Sequence, residues 1–211
     1  MKKLISGILA ACLLCGALAG CGGNRAGDGS PADHTDAQAE SQQKEVTPVT
    51  VEGDSFRMTP GQFKDNVNNA AKADVITADF VAQELEGGTM YTAPSIHDGV
   101  KFVLLQLAGE DNIQVVMVVQ PVRDQDQKEE NGLPVNTRFD SMCLFAAMVC
   151  DPEADEDFYS DVALMPVKAR NKISPFDKGN SLKSDQIVCI FENDGDNENF
   201  LISSKALGFD A

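Results

Sequence analysis

The chain has 211 residues, 43% of them hydrophobic and 6% aromatic, with no tryptophan. Its 33 acidic residues against 17 basic ones give a net charge of -16. Such a chain is repelled by nucleic acid and by anionic lipid headgroups, so neither polyanion is an expected partner.

Three zones follow in chain order. Residues 1–20 have the plan of a secretion signal: a basic start at Lys2-Lys3, then an apolar run from Leu4 to Leu18. The run falls short of the roughly 20 apolar residues that span a bilayer. It ends in Leu18-Ala19-Gly20-Cys21, which resembles the lipobox of bacterial lipoprotein precursors. The resemblance implies a diacylglyceryl group on the Cys21 thiol and cleavage after Gly20, with Leu18, Ala19 and Gly20 forming the cleavage motif. It also implies a domain held on the extracytoplasmic side of the cell membrane or an outer membrane. Loss of Lys2 and Lys3 would leave 15 basic against 33 acidic residues, near -18. Attachment would therefore come from acyl chains, of which two or more hold stably.

Residues 21–50 comprise this cysteine and a polar tether, poor in apolar residues until Val46. Such a segment buries too little surface to fold, and as a coil of about 29 residues it reaches on the order of 30 Å. Residues 51–211 have the length of one domain.

Within that domain the first helix is marked by Thr59 as N-cap, Pro60 at the first helical position and Gln62 closing a capping box. Phe63, Val67, Ala70 and Ala71 form its apolar stripe. Residues 77–86 fit either a short helix capped by Thr77 or a strand continuing Val75-Ile76-Thr77. Strands follow at 89–93, 100–108 and 113–120, the last two paired around Gly109-Glu110-Asp111-Asn112. Their apolar residues occupy both faces, the pattern of strands inside a sheet with two covered sides, or one side awaiting a partner.

A second capping box at Thr137 and Asp140 predicts a helix with Phe139, Met142, Cys143, Ala146, Ala147 and Cys150 on one face. Asp151-Pro152 then reads as the N-cap and first residue of a third helix carrying Phe158, Val162 and Met165. A last hairpin pairs residues 185–191 with 200–204. The class is α+β: an antiparallel sheet with about three helices packed on it, in the order helix, strands, two helices, strands.

Signatures of catalysis are scarce. The sequence contains no nucleophile elbow, phosphate-binding loop or paired zinc ligands. Beyond the tether one histidine remains, His97, in a His-Asp-Gly turn; an envelope hydrolase would have to use it or a carboxylate pair. Asp194, Asp196 and Glu198 could ligate calcium, though Asp and Gly at 194–196 also suit a hairpin turn. A second acidic run, from Asp151 to Asp157, suits a helix first turn. Cys143 and Cys150, roughly 10 Å apart along one helix, cannot bridge, so any disulfide must use Cys189.

Lys168, Arg170, Lys172, Lys178 and Lys183, with Phe176 among them, form a basic stretch that could contact an acidic partner or pair with the acidic helix before it. The reading that results is a lipid-anchored, non-catalytic binding or envelope assembly-accessory module. It calls for no cofactor and for an envelope protein or polymer as its partner. A hydrolase and a calcium-stabilised module are the alternatives.

Overall fold

The computed structural model describes residues 49–124, 126–128, 136–172 and 181–208, all within one compact unit, Lys44–Ala211. The fold is α+β. A small hairpin, β1 (Val51–Glu52) and β2 (Ser55–Phe56), precedes α1 (Pro60–Ala71). Four strands follow: β3 (Val81–Leu85), β4 (Gly88–Pro94), β5 (Lys101–Leu107) and β6 (Val115–Pro121). Helices α2 (Thr137–Cys150) and α3 (Glu156–Arg170) come next, then β7 (Ser181–Lys183), β8 (Ile187–Asn193) and β9 (Asn197–Ser204).

Seven strands form one antiparallel sheet in the order β3-β4-β5-β6-β9-β8-β7. The β6–β9 pair therefore joins the two halves of the chain at the sheet's centre. Two cross-strand rows point to the helices: Ala93, Phe102, Val118, Phe200 and Phe191, and beside it Tyr91, Leu104, Val116, Ile202, Cys189 and Leu182. The apolar residues of all three helices pack with these rows in one core, Phe63 and Val67 from α1, Phe139 and Met142 from α2, Val162 and Met165 from α3. Phe63 meets Phe102 edge to face at 5.8 Å, locking α1 to β5.

Helix α1 starts as its sequence specifies, with Gln62 N bonded to Thr59 Oγ1 and Thr59 N bonded to Gln62 Oε1. The ambiguous stretch is a strand: β3 folds back on β4 through Glu86-Gly87, and every one of its residues is exposed. Gly88 lies where a Cβ would fall 2.0 Å from the Gln106 carbonyl oxygen, so this edge closes only without a side chain.

Two expected caps are corrected. Thr137 lies inside α2, whose cap position is Asn136, and no side chain closes a box there. Asp140, the other half of the expected box, turns inward to Arg170. Helix α3 begins four residues later than expected, capped by Asp155, whose Oδ1 accepts from Phe158 N at 2.7 Å. Asp151 is buried and accepts from Ser184 Oγ at 2.6 Å, tying the α2–α3 loop to the turn between β7 and β8. In both places a tertiary donor outcompetes the local backbone for the carboxylate.

Candidate functional site

Cys21 and its cleavage motif Leu18, Ala19 and Gly20 lie outside the described residues, as do Phe176 and Lys178. Among the described residues, no helix is long and apolar enough to cross a membrane.

The three proposed calcium ligands separate. Asp194 caps the β8–β9 turn: its Oδ1 accepts from Asp196 N at 2.9 Å and Asn197 N at 2.7 Å, and Oδ2 from Asn199 Nδ2 at 3.3 Å. Those backbone donors hold its carboxyl below the usual aspartate range. Asp196 stays on the exposed turn. Glu198 is buried, because strand alternation puts it on the same face as Phe200 and Ile202. Among the described residues no group of three or more His, Cys, Asp or Glu is placed to hold a metal ion.

The basic stretch separates too. Lys168 pairs with Asp161 on its own helix at 3.0 Å, an exposed contact of small energetic consequence. Lys172 sits past the end of α3 with φ 52°, and Lys183 is exposed at the end of β7. Arg170 points inward, with a side chain 4% exposed. Its Nε and Nη2 donate to the two oxygens of Glu198 at 2.6 and 2.8 Å, a bidentate fork. Nη1 donates to Asp140 Oδ2 at 3.1 Å, while Nη2 also lies 2.9 Å from Asp140 Oδ1, in ion-pair contact but off the line of its N–H bonds. Gln120 Nε2 completes the cluster by donating to Glu198 Oε2 at 2.6 Å and to Asn136 Oδ1 at 3.3 Å.

The guanidinium also stands over the rings of Phe139 and Phe191, at 5.8 and 5.7 Å from their centroids. One cation here faces two carboxylates. Burial leaves the Asp140 carboxyl raised to about 6 despite its pairing, and the two carboxylates push the Arg170 guanidinium further up. This cluster clamps α2 and α3 to the sheet and is a structural element.

His97 stands in the turn between β4 and β5, where its backbone N–H donates to Ser95 Oγ at 3.2 Å. Partial burial and the nearby Arg138 charge lower its imidazole to about 4. Ser95 Oγ is thus a turn acceptor, and among the described residues the imidazole makes no bond to a serine hydroxyl. Cys143, Cys150 and Cys189 are all free and buried, and burial raises each thiol well above its ordinary range.

The surface that sequence reasoning anticipated is the second face of the sheet. One register row crosses all seven strands: Val81, Thr92, Val103, Met117, Leu201, Ile190 and Ser181. The next holds Gln83, Met90, Leu105, Val115, Ser203, Val188 and Lys183. Lys183, at the edge, is the one charged residue of the two rows. Val103, Val115, Val188 and Ser203 are buried; Met90, Leu105, Met117, Ile190 and Leu201 are half-buried, and Val81 is exposed. None of these residues belongs to the core shared with the helices.

No family model matches the chain, and neither a curated protein nor a solved structure is similar to it.

Proposed function

We propose that this chain is a lipid-anchored extracytoplasmic lipoprotein acting as a non-catalytic binding module, with the helix-free face of its sheet as the docking surface for an envelope protein. The observation that carries the reading is that face. Seven strands at about 4.8 Å spacing are about 29 Å wide, and the two rows cover about 14 Å along the strands. The resulting area, about 400 Å², is as large as the biggest patches on monomers, which are often functional. It is about half of the roughly 800 Å² each partner gives to a specific interface. The anchor rests on Leu18-Ala19-Gly20-Cys21, and the polar segment after it would let the domain stand off the bilayer.

The test is cross-linking in cells that carry the tagged full chain, beside a Cys21→Ser form and a Met117→Lys/Leu201→Lys form. Labelling with a radioactive fatty acid should mark the wild-type chain and fail on Cys21→Ser. One envelope protein should be captured by the wild type and lost from the double-lysine form, whose circular dichroism stays native. Undiminished capture by the double-lysine form would remove the sheet face from the reading. Acyl labelling of Cys21→Ser would remove the anchor.

A further inference from the structure

The sheet has two unlike edges. At one end β7 is three residues long and finishes on Lys183, a short, charged edge of the kind that discourages pairing. At the other end β3 carries none of these safeguards. It runs for five residues without lysine, proline or a bulge, each matched one to one with β4, and its outer row of backbone N–H and C=O groups lies along the rim of the sheet. All five residues are exposed, Val81 at 71%. Such an edge is a template for another strand.

The side chains select the strand that fits. Through the β3–β4–β5 register, Val81, Gln83 and Leu85 share the open face of the sheet with Val103, Leu105 and Leu107. Val81, Leu85 and Leu107 are exposed, so the open face is least covered at this edge. Two copies of Val81-Ala82-Gln83-Glu84-Leu85, antiparallel about a two-fold axis at Gln83, complement each other: Val81 stands opposite Leu85, Ala82 opposite Glu84, and Gln83 opposite itself. The one charge of the strand then meets no like charge directly across. Glu84 faces an alanine, and Thr89 Oγ1 on its own sheet donates to its carboxylate, 3.2 and 3.1 Å from the two oxygens.

We propose that a second copy of this chain docks antiparallel on β3, making one sheet across two protomers. For what the pair does, the inference rests on the docking reading above. One open face of about 400 Å² is half of what a specific interface takes from each partner, and two side by side supply about 800 Å². Like net charges oppose the encounter and a five-residue edge buries little, so the pair is weak in dilute solution. Two chains anchored in one membrane meet at a far higher effective concentration.

Disulfide trapping in cells that carry the tagged full-length chain tests the register. Opposed residues of an antiparallel pair have Cα atoms about 4.5–5.5 Å apart, within reach of a disulfide, whereas diagonal ones lie about 7–8 Å apart, at or beyond its limit. Under mild oxidant Gln83→Cys should give a dimer on non-reducing gels, as should Ala82→Cys and Glu84→Cys expressed together; Ala82→Cys alone should give about tenfold less. Cys143, Cys150 and Cys189 are buried, so the wild-type chain is the blank. Adding Val81→Lys/Leu85→Lys to Gln83→Cys, at two exposed positions, sets lysine against lysine and should cut the dimer about tenfold. Adding Met117→Lys/Leu201→Lys should leave it unchanged even where capture of the envelope protein is lost, so pairing and docking fail separately. The proposal is overturned if Gln83→Cys gives no dimer or links only to a different protein, or if Ala82→Cys alone links as well as Gln83→Cys. It is also overturned if Val81→Lys/Leu85→Lys leaves the yield unchanged, or if Met117→Lys/Leu201→Lys abolishes it, which would mean that the copies meet face to face.

Discussion

Replacing Arg170 with methionine keeps an unbranched stem but deletes the guanidinium, which strands two carboxylates. Glu198 and Asp140 have side chains 3% and 13% exposed, so neither can recover its hydration without distorting the fold. Their cheapest response is to take up protons. Asp140, already raised to about 6, takes up its proton at pH 7 for roughly 1 kcal/mol. Removing one partner of a buried pair costs about 3–5 kcal/mol in all. In a domain of this size the melting point should fall by about 10 °C or more.

The proton route makes the effect pH-dependent. Each unit of acidification lowers the free-energy cost of protonating an ionised carboxylate by about 1.4 kcal/mol. Arg170→Met should therefore be far less destabilised at pH 5 than at pH 7. A triple variant, Arg170→Met with Asp140→Asn and Glu198→Gln, should regain most of the stability, because no buried charge is left alone. Urea unfolding at both pH values provides the free energies. A loss under about 1 kcal/mol at pH 7, or the same loss at pH 5, would mean that Arg170 behaves as a solvated cation and that the cluster is not closed.

Asp140 and His97 should tilt the pH profile in opposite directions. The Asp140 carboxyl is raised from 3.8 to about 6, so the folded state holds its proton more tightly and stability falls as pH rises through that window. His97 is lowered from 6.5 to about 4, so stability is lost on acidification from pH 6.5 towards 4. Thermal melts between pH 4 and 7 should steepen in their fall with pH for His97→Gln, and rise with pH for Asp140→Asn; unchanged profiles would refute both assignments. Cys143, Cys150 and Cys189 should resist iodoacetamide in the native protein at pH 8 and react after unfolding, read by mass mapping of their peptides. Asp194→Ala should lower the melting temperature by removing acceptors from the β8–β9 turn, equally with and without millimolar calcium. A stabilisation by calcium that Asp194→Ala abolishes would restore the metal reading of that loop.

Local signals in the sequence proved legible where both halves of the interaction lie within a few residues. The Thr59–Gln62 box is one such case. The apolar faces of α2 and α3 are another, since burial of Phe139, Met142, Cys143, Phe158, Val162 and Met165 follows helical period. What failed was competition from a distance. Thr137/Asp140 and Asp151 have the local chemistry of caps, but Arg170 lies 30 residues from Asp140 and Ser184 lies 33 from Asp151. Strand β3 stayed ambiguous with a helix because an edge strand with no buried residue has no alternation to read. The place of Glu198 was readable in principle. It alternates with Phe200 and Ile202, and that period of two outweighs its neighbourhood of turn acids.

The two faces of the sheet answer different demands. On the helix side charge is tolerated because it is paired: Arg170 bonds to Glu198 and Asp140, Gln120 adds a bond to Glu198, and together they fix α2 and α3 over the β6–β9 pair that joins the halves of the chain. The two rows across the opposite face hold one charged residue, Lys183, in a chain whose net charge is -16. A surface kept apolar while the rest of the chain is acidic cannot select a partner by long-range attraction. Shape and buried area would have to do so at short range, and the general repulsion would screen out other acidic surfaces before contact. That division supports a module that docks through its sheet and uses its buried ion cluster to hold the sheet's shape, rather than one that presents charge to a ligand there.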